Sequence, residues 1–113
     1  MKKLTILILL MSWPLVSLAK GPNCYTWPMN MAMVWMKNEK ILDIQDLDES
    51  KTKIMQLASE KIKKDLYTQI YHFVFYDKNG NSYEVITKSQ ASYEECSMSD
   101  VNKYLISKSQ DHQ

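Results

Sequence analysis

The chain has only two glycines, Gly21 and Gly80. A glycine-rich phosphate loop needs several within one short segment, so that class of nucleotide site is excluded. Histidine is equally scarce: His72 falls in a stretch with strand character and His112 in the C-terminal tail. No HExxH and no GxSxG segment is present, which removes the zinc-peptidase helix and the nucleophile elbow. A catalytic nucleophile needs a positioned base, and no such pair is legible. Cysteine occurs twice, at Cys24 and Cys96, without CxxC spacing, which argues against a redox site. Net charge is also lacking. The formal value is +1, too small a field to attract nucleic acid. These absences point away from an enzyme and away from any cofactor.

The polar clusters that remain have plain readings. The acidic run Asp43, Asp46, Asp48, Glu49 lacks EF-hand spacing and its glycine, and reads as charge at a helix start. Glu94 and Glu95 adjoin Cys96 and read as a solvated turn rather than an acid–base pair.

What the chain does have begins with Met1-Lys2-Lys3, an apolar run Leu4–Met11, and Ser17-Leu18-Ala19. This is the pattern of a secretory signal peptide cleaved after Ala19. The apolar run is interrupted by Ser12 and Pro14 and falls short of the roughly 20 residues of a spanning helix. Membrane attachment is expected only if the segment stays uncleaved. Residues 1–19 are therefore read as the leader and 20–113 as a single domain. Loss of Lys2 and Lys3 takes the formal charge from +1 to −1. Export places the domain in the periplasm or beyond it, where cysteines oxidise. A Cys24–Cys96 disulfide would close nearly the whole domain and contribute about 4 kcal/mol by chain entropy.

Along the domain, Asn30 is placed to cap a helix running to about Lys40, with Met29, Met33 and Met36 on one stripe. Asp43–Ser50 is a polar connection. Ile54, Leu57, Ala58, Ile62 and Leu66 recur at three- and four-residue steps, which predicts a second helix beginning near Asp48–Ser50. The period then changes to two. Tyr67–Tyr76 and Ser82–Lys88 read as strands joined at Asn79-Gly80, the signature of a type I′ hairpin. With those two as the loop, Val74 faces Val85 on one side and Phe73 pairs with Ile86 on the other. Ser89–Ser99 reads as a polar loop holding Cys96, and Val101–Ser107 as a last strand. The tail from Lys108 has nothing to bury.

Two groups of side chains bear on function. Met29, Met31, Met33 and Met36 could offer thioethers to Cu(I), although methionines at this spacing also fill cores. Trp27, Trp35 and the tyrosines are more than a domain this small buries completely; they either wrap a thin core or, where exposed, anchor a protein interface.

The segment Lys20-Gly21-Pro22-Asn23-Cys24-Tyr25, then Ala32 and Met36-Lys37-Asn38-Glu39 at the same spacing, resembles the periplasmic domain of the colicin M immunity family. Glu60-Lys61-Ile62, a glycine-containing turn, a second cysteine and a final tyrosine-bearing strand follow in the family's order. The secreted YebF-type proteins share this organisation. Leu42–Ser59 departs from it. The resemblance implies an α+β fold, with two to three helices on a small antiparallel sheet and one disulfide, Cys24–Cys96. It implies a periplasmic immunity-type protein that binds and neutralises a bacteriocin or delivered toxin. Trp27, Trp35, Tyr93, Glu94 and Glu95 are the expected partner-binding residues. A YebF-like secreted protein without a toxin partner and a Met-rich Cu(I) carrier are the alternatives.

Overall fold

A computed structural model describes residues 21–109. The expected leader, its cleavage site and His112 lie outside them. Among the described residues the elements are one helix, α1 (Thr26–Asn38), two 3₁₀ turns (Ile44–Asp46 and Glu49–Lys51), and four strands, β1 (Lys53–Lys63), β2 (Leu66–Tyr76), β3 (Ser82–Ala91) and β4 (Asn102–Ser109). The strands form one antiparallel sheet in the order β1-β2-β3-β4, each joined to the next as its sequence neighbour. The expectation of two to three helices is therefore corrected: the second helix is an edge strand. The single disulfide is present.

The helix starts earlier than an Asn30 cap requires. Tyr25 stands at the N-cap position without a side-chain capping bond. Pro28 lies within the first turn, where its missing N–H costs nothing because such groups have no helical partner. At the other end Lys40 turns left-handed at φ +59°. Ile41 N–H then donates to Met36 O at 2.8 Å and Lys40 N–H to Lys37 O at 3.0 Å. This is a Schellman ending, built on lysine where glycine is usual.

β1 shows why spacing misleads there. Ile54, Leu57, Ala58 and Ile62 imitate a helical stripe because the strand contains two bulges. Register shifts fall between Gln56 and Ala58 and between Lys61 and Lys63, so Leu57 and Ile62 are extra residues that break the two-residue period. No residue of β1 is buried. The stripe marks no core face.

The β2–β3 hairpin is also corrected. Tyr76 pairs with Ser82, so the loop is Asp77–Asn81 and not Asn79-Gly80 alone. Gly80 has φ +90°, but Asn79 is not in the left-handed region, as a type I′ turn would need. One residue of slip exchanges the faces. Phe73 pairs with Val85 and Phe75 with Tyr83, whereas His72 pairs with Ile86. Tyr71, Phe73, Phe75, Tyr83 and Val85 form the core with Ala32 and Met36 of α1 and with Leu42 and Leu47. Met29 and Met33 pack against it, so three of the four clustered methionines serve as core filling.

Among the described residues no helix packs on the opposite face of the sheet. His72 and Glu84 pair there across β2 and β3 at 2.9 Å, with Ile70, Val74 and Ile86 half-buried on either side. Among the described residues no helix is long and apolar enough to cross a membrane.

Candidate functional site

The disulfide fixes one end of the sheet. Cys24 lies just before α1 and Cys96 in the loop between β3 and β4, and their bond closes a separation of 72 residues. A chain of hydrogen bonds laces the segment before the helix onto β1 and β2. Gln69, buried on the core face, donates from Nε2 to Pro22 O at 2.8 Å and to Ser59 Oγ at 3.1 Å. Tyr71 Oη donates to Gln69 Oε1 at 3.3 Å. The same oxygen accepts from Cys24 N–H at 3.3 Å and from Gln56 Nε2 at 3.0 Å. A buried amide and phenol are thereby satisfied, as burial demands.

Gly21 completes the lacing. Its φ is +84°, and a Cβ placed there would come within 2.7 Å of Tyr67 Cδ2 and 2.9 Å of Ser59 Oγ. Only glycine suits both constraints.

The loop that holds Cys96 is built on Ser92. Its Oγ accepts from Glu94 N–H at 3.2 Å and Glu95 N–H at 2.9 Å, and its own N–H donates to Glu95 O at 2.8 Å. This tight turn is a local hydroxyl–backbone motif. It sends Tyr93, Glu94 and Glu95 outward, all exposed. Among the described residues Tyr93 is the most exposed of the large apolar side chains, at 66 %. It is nonetheless held from two sides. Its N–H donates to Asp65 Oδ1 at 2.9 Å, and its ring meets that of Tyr67 edge-on at 5.7 Å between centroids. Asp65 occupies the β1–β2 turn at φ +47°, a conformation its short polar side chain tolerates better than most. Burial, then the Tyr93 phenol beside it and the Asp65 carboxylate, raises the Tyr67 phenol above its ordinary value.

Of the five expected partner-binding residues, the structure brings Tyr93, Glu94 and Glu95 together beside the disulfide. Trp27 and Trp35 stand on α1 and are half-buried. Trp35 packs against the core, and Trp27 Nε1 is buried without a hydrogen-bond partner. Neither is a freely presented anchor. Asp65, Tyr67 and Ser92 are supporting residues that sequence reading missed. Asp65 was hidden because its segment read as the end of a helix. Ser92 carried a usable signal: a serine followed closely by two acids in a polar loop is the composition of such a turn.

Elsewhere the polar groups serve the fold. Asp43 caps its 3₁₀ turn by accepting from Gln45 N–H at 3.1 Å, and Asp48 accepts from Ser50 Oγ at 2.8 Å. Among the described residues no three His, Cys, Asp or Glu side chains converge as a metal site. The loop at Tyr93 presents a ring and two carboxylates to solvent. No known family, no curated protein and no solved structure matches the chain.

Proposed function

We propose that the protein is a periplasmic immunity-type protein, which meets a bacteriocin or other delivered protein toxin and neutralises it by binding. The observation that carries this reading is the Tyr93–Glu95 loop. A tyrosine ring at 66 % exposure stands on a backbone fixed by Ser92, Asp65 and a disulfide. A rigid aromatic anchor loses little entropy on binding and suits a hot spot. The flanking carboxylates of Glu94 and Glu95 favour a basic patch on the partner and speed encounter with it. The resemblance of the Lys20–Glu39 region to the colicin M immunity family supplies the class of partner.

The test is protection. The chain is expressed in a sensitive strain and challenged with periplasm-acting toxins, colicin M first. Protection that falls in Tyr93→Ala and Glu94→Lys/Glu95→Lys variants, with the disulfide intact, is the expected result. Full sensitivity of cells that hold the oxidised protein, across toxins encoded beside its gene as well, would end the proposal.

A further inference from the structure

β1 is an edge strand with an unusual surface. Edge strands are commonly protected from pairing by lysines and bulges, and β1 has both: Lys53, Lys61 and Lys63 within it and Lys64 in the turn that follows, with two bulges. Protection does not account for the apolar side chains set among those lysines. Met55, Leu57 and Ile62 are 58 %, 48 % and 49 % exposed. A strand shielded only against pairing would carry polar residues there. Lys61, Lys63 and Lys64 make no ion pair with another described residue, and Glu60 is the single acid of the strand. Along the edge and its turn, four lysines stand against two carboxylates, Glu60 and Asp65, and exposed apolar side chains are interleaved with them in sequence. A polyanion in water would match the charge and leave the apolar groups wet. An anionic bilayer matches both, because its phosphates pair with lysines while apolar side chains enter the boundary beneath the headgroups.

We infer that the β1 edge, together with the β1–β2 turn, docks on a phospholipid bilayer bearing anionic headgroups. The lysines supply long-range attraction, each worth severalfold in affinity near such a surface. Met55, Leu57 and Ile62 supply shallow insertion, and Lys stems cover apolar surface as their heads reach the phosphates. The opposite edge, β4, also exposes apolar side chains, but both its lysines, Lys103 and Lys108, are engaged, with Val101 O and the Tyr83 ring; on the β1 edge, among the described residues, Lys53 alone has such a contact, over the Tyr76 ring. The edge adjoins the Tyr93 loop at the turn, where Asp65 Oδ1 accepts from Tyr93 N–H, but its lysines and apolar side chains are different residues and bilayer binding needs no toxin.

The test is co-sedimentation of the oxidised protein with vesicles of phosphatidylglycerol in phosphatidylethanolamine, against vesicles of phosphatidylcholine alone. Binding to the first, weakening with salt, is expected. Lys61→Glu/Lys63→Glu should reduce it by at least about 30-fold, whereas Lys37→Glu/Lys78→Glu, with the same change of net charge elsewhere, should retain most of it. Met55→Ser/Leu57→Ser should weaken binding without abolishing its salt dependence. All these positions are exposed, and circular dichroism checks that each variant is folded. Three results would overturn the inference: no binding to anionic vesicles, equal loss in the two lysine pairs, or competition by soluble polyglutamate with no effect of Met55→Ser/Leu57→Ser. The last would assign the edge to an acidic protein surface.

Discussion

Tyr83 donates its phenolic hydrogen to Asp77 Oδ2 at 3.0 Å, and this bond ties the first core residue of β3 to the start of the β2–β3 loop. The same carboxylate accepts from Asn79 N–H, Asn81 N–H and Asn81 Nδ2, each at 2.9 Å. Four donors converge on one buried side chain. They hold the loop at five residues, where Asn79-Gly80 alone would have made two, and so select the register that buries Phe73 and Phe75. A local side-chain motif outcompetes the tight turn.

Asp77 should make the fold sensitive to acid. Burial pushes its carboxyl upward, but the hydrogen bonds from Asn81, Asn79 and Tyr83 outweigh burial and hold it below the ordinary carboxylate value. A group whose pKa is depressed by folding stabilises the fold above its unfolded pKa, near 3.9. That contribution disappears as pH falls through the lower folded value. Urea unfolding of the wild type should weaken across this acid range, and Asp77→Asn should flatten part of the decline. At neutral pH, Asp77→Ala should cost about 3 kcal/mol, because it leaves charged-type hydrogen bonds unmade and the Tyr83 hydroxyl buried. A loss under about 0.5 kcal/mol would show that the loop does not depend on this carboxylate.

The disulfide predicts a second loss. Cys24→Ser/Cys96→Ser opens a loop of 72 residues, for which chain entropy gives about 4 kcal/mol. Denaturant unfolding with and without reductant should show a lower midpoint for the double variant and for the reduced wild type alike. The Tyr93 loop should loosen with it, since Cys96 is one of its anchors. Proteolysis near Ser97 in the reduced protein, before global unfolding, is the expected sign.

At Gly21 the prediction is steric. Gly21→Ala forces a side chain onto a left-handed residue and to within 2.7 Å of the Tyr67 ring. The ring or the N-terminal segment must shift, which should cost about 1–3 kcal/mol in unfolding free energy. Because Tyr67 supports Tyr93, the tyrosine near-ultraviolet dichroism should change as well. An unchanged spectrum and midpoint would show that the segment is not held where Pro22 meets Gln69.

Sequence reading reached some of these features and failed at others for definite reasons. The disulfide was legible because two cysteines in a chain whose sequence reads as exported have one partner each. The Met29, Met33 and Met36 stripe was legible because helical spacing there did coincide with burial against Phe73 and its neighbours. At β1 the same rule failed: apolar spacing was altered by bulges at Leu57 and Ile62, and the four β1 residues it grouped, Ile54, Leu57, Ala58 and Ile62, are exposed. At the hairpin the Asn79-Gly80 signal was local and correct in position, but Asp77 set the loop length through contacts with Asn81 and Tyr83. In the candidate site, Tyr93, Glu94 and Glu95 were visible as polar-loop residues beside a cysteine. Asp65 and Tyr67 were not, because they reach Tyr93 only once β1 and β2 pair.

The two faces of the sheet should answer very differently to truncation, and this tests the register directly. Phe73 is fully buried between Tyr71 and Phe75, with ring centroids 5.8 Å and 5.7 Å away. Its neighbour Val74 lies on the opposite face beside His72 and Met55. Phe73→Ala should cost about 3–5 kcal/mol through lost burial and a cavity. Val74→Ala should cost about 1 kcal/mol or less, and Met55→Ser close to nothing, because little apolar surface leaves water there. His72 and Glu84 are partly exposed partners, so a double-mutant cycle to alanine should give a coupling below about 1 kcal/mol. If Val74 were instead the costly position and Phe73 the tolerant one, the strands would pair through a two-residue Asn79-Gly80 turn. The core would then be built on the opposite face, with the Asp77 loop undone.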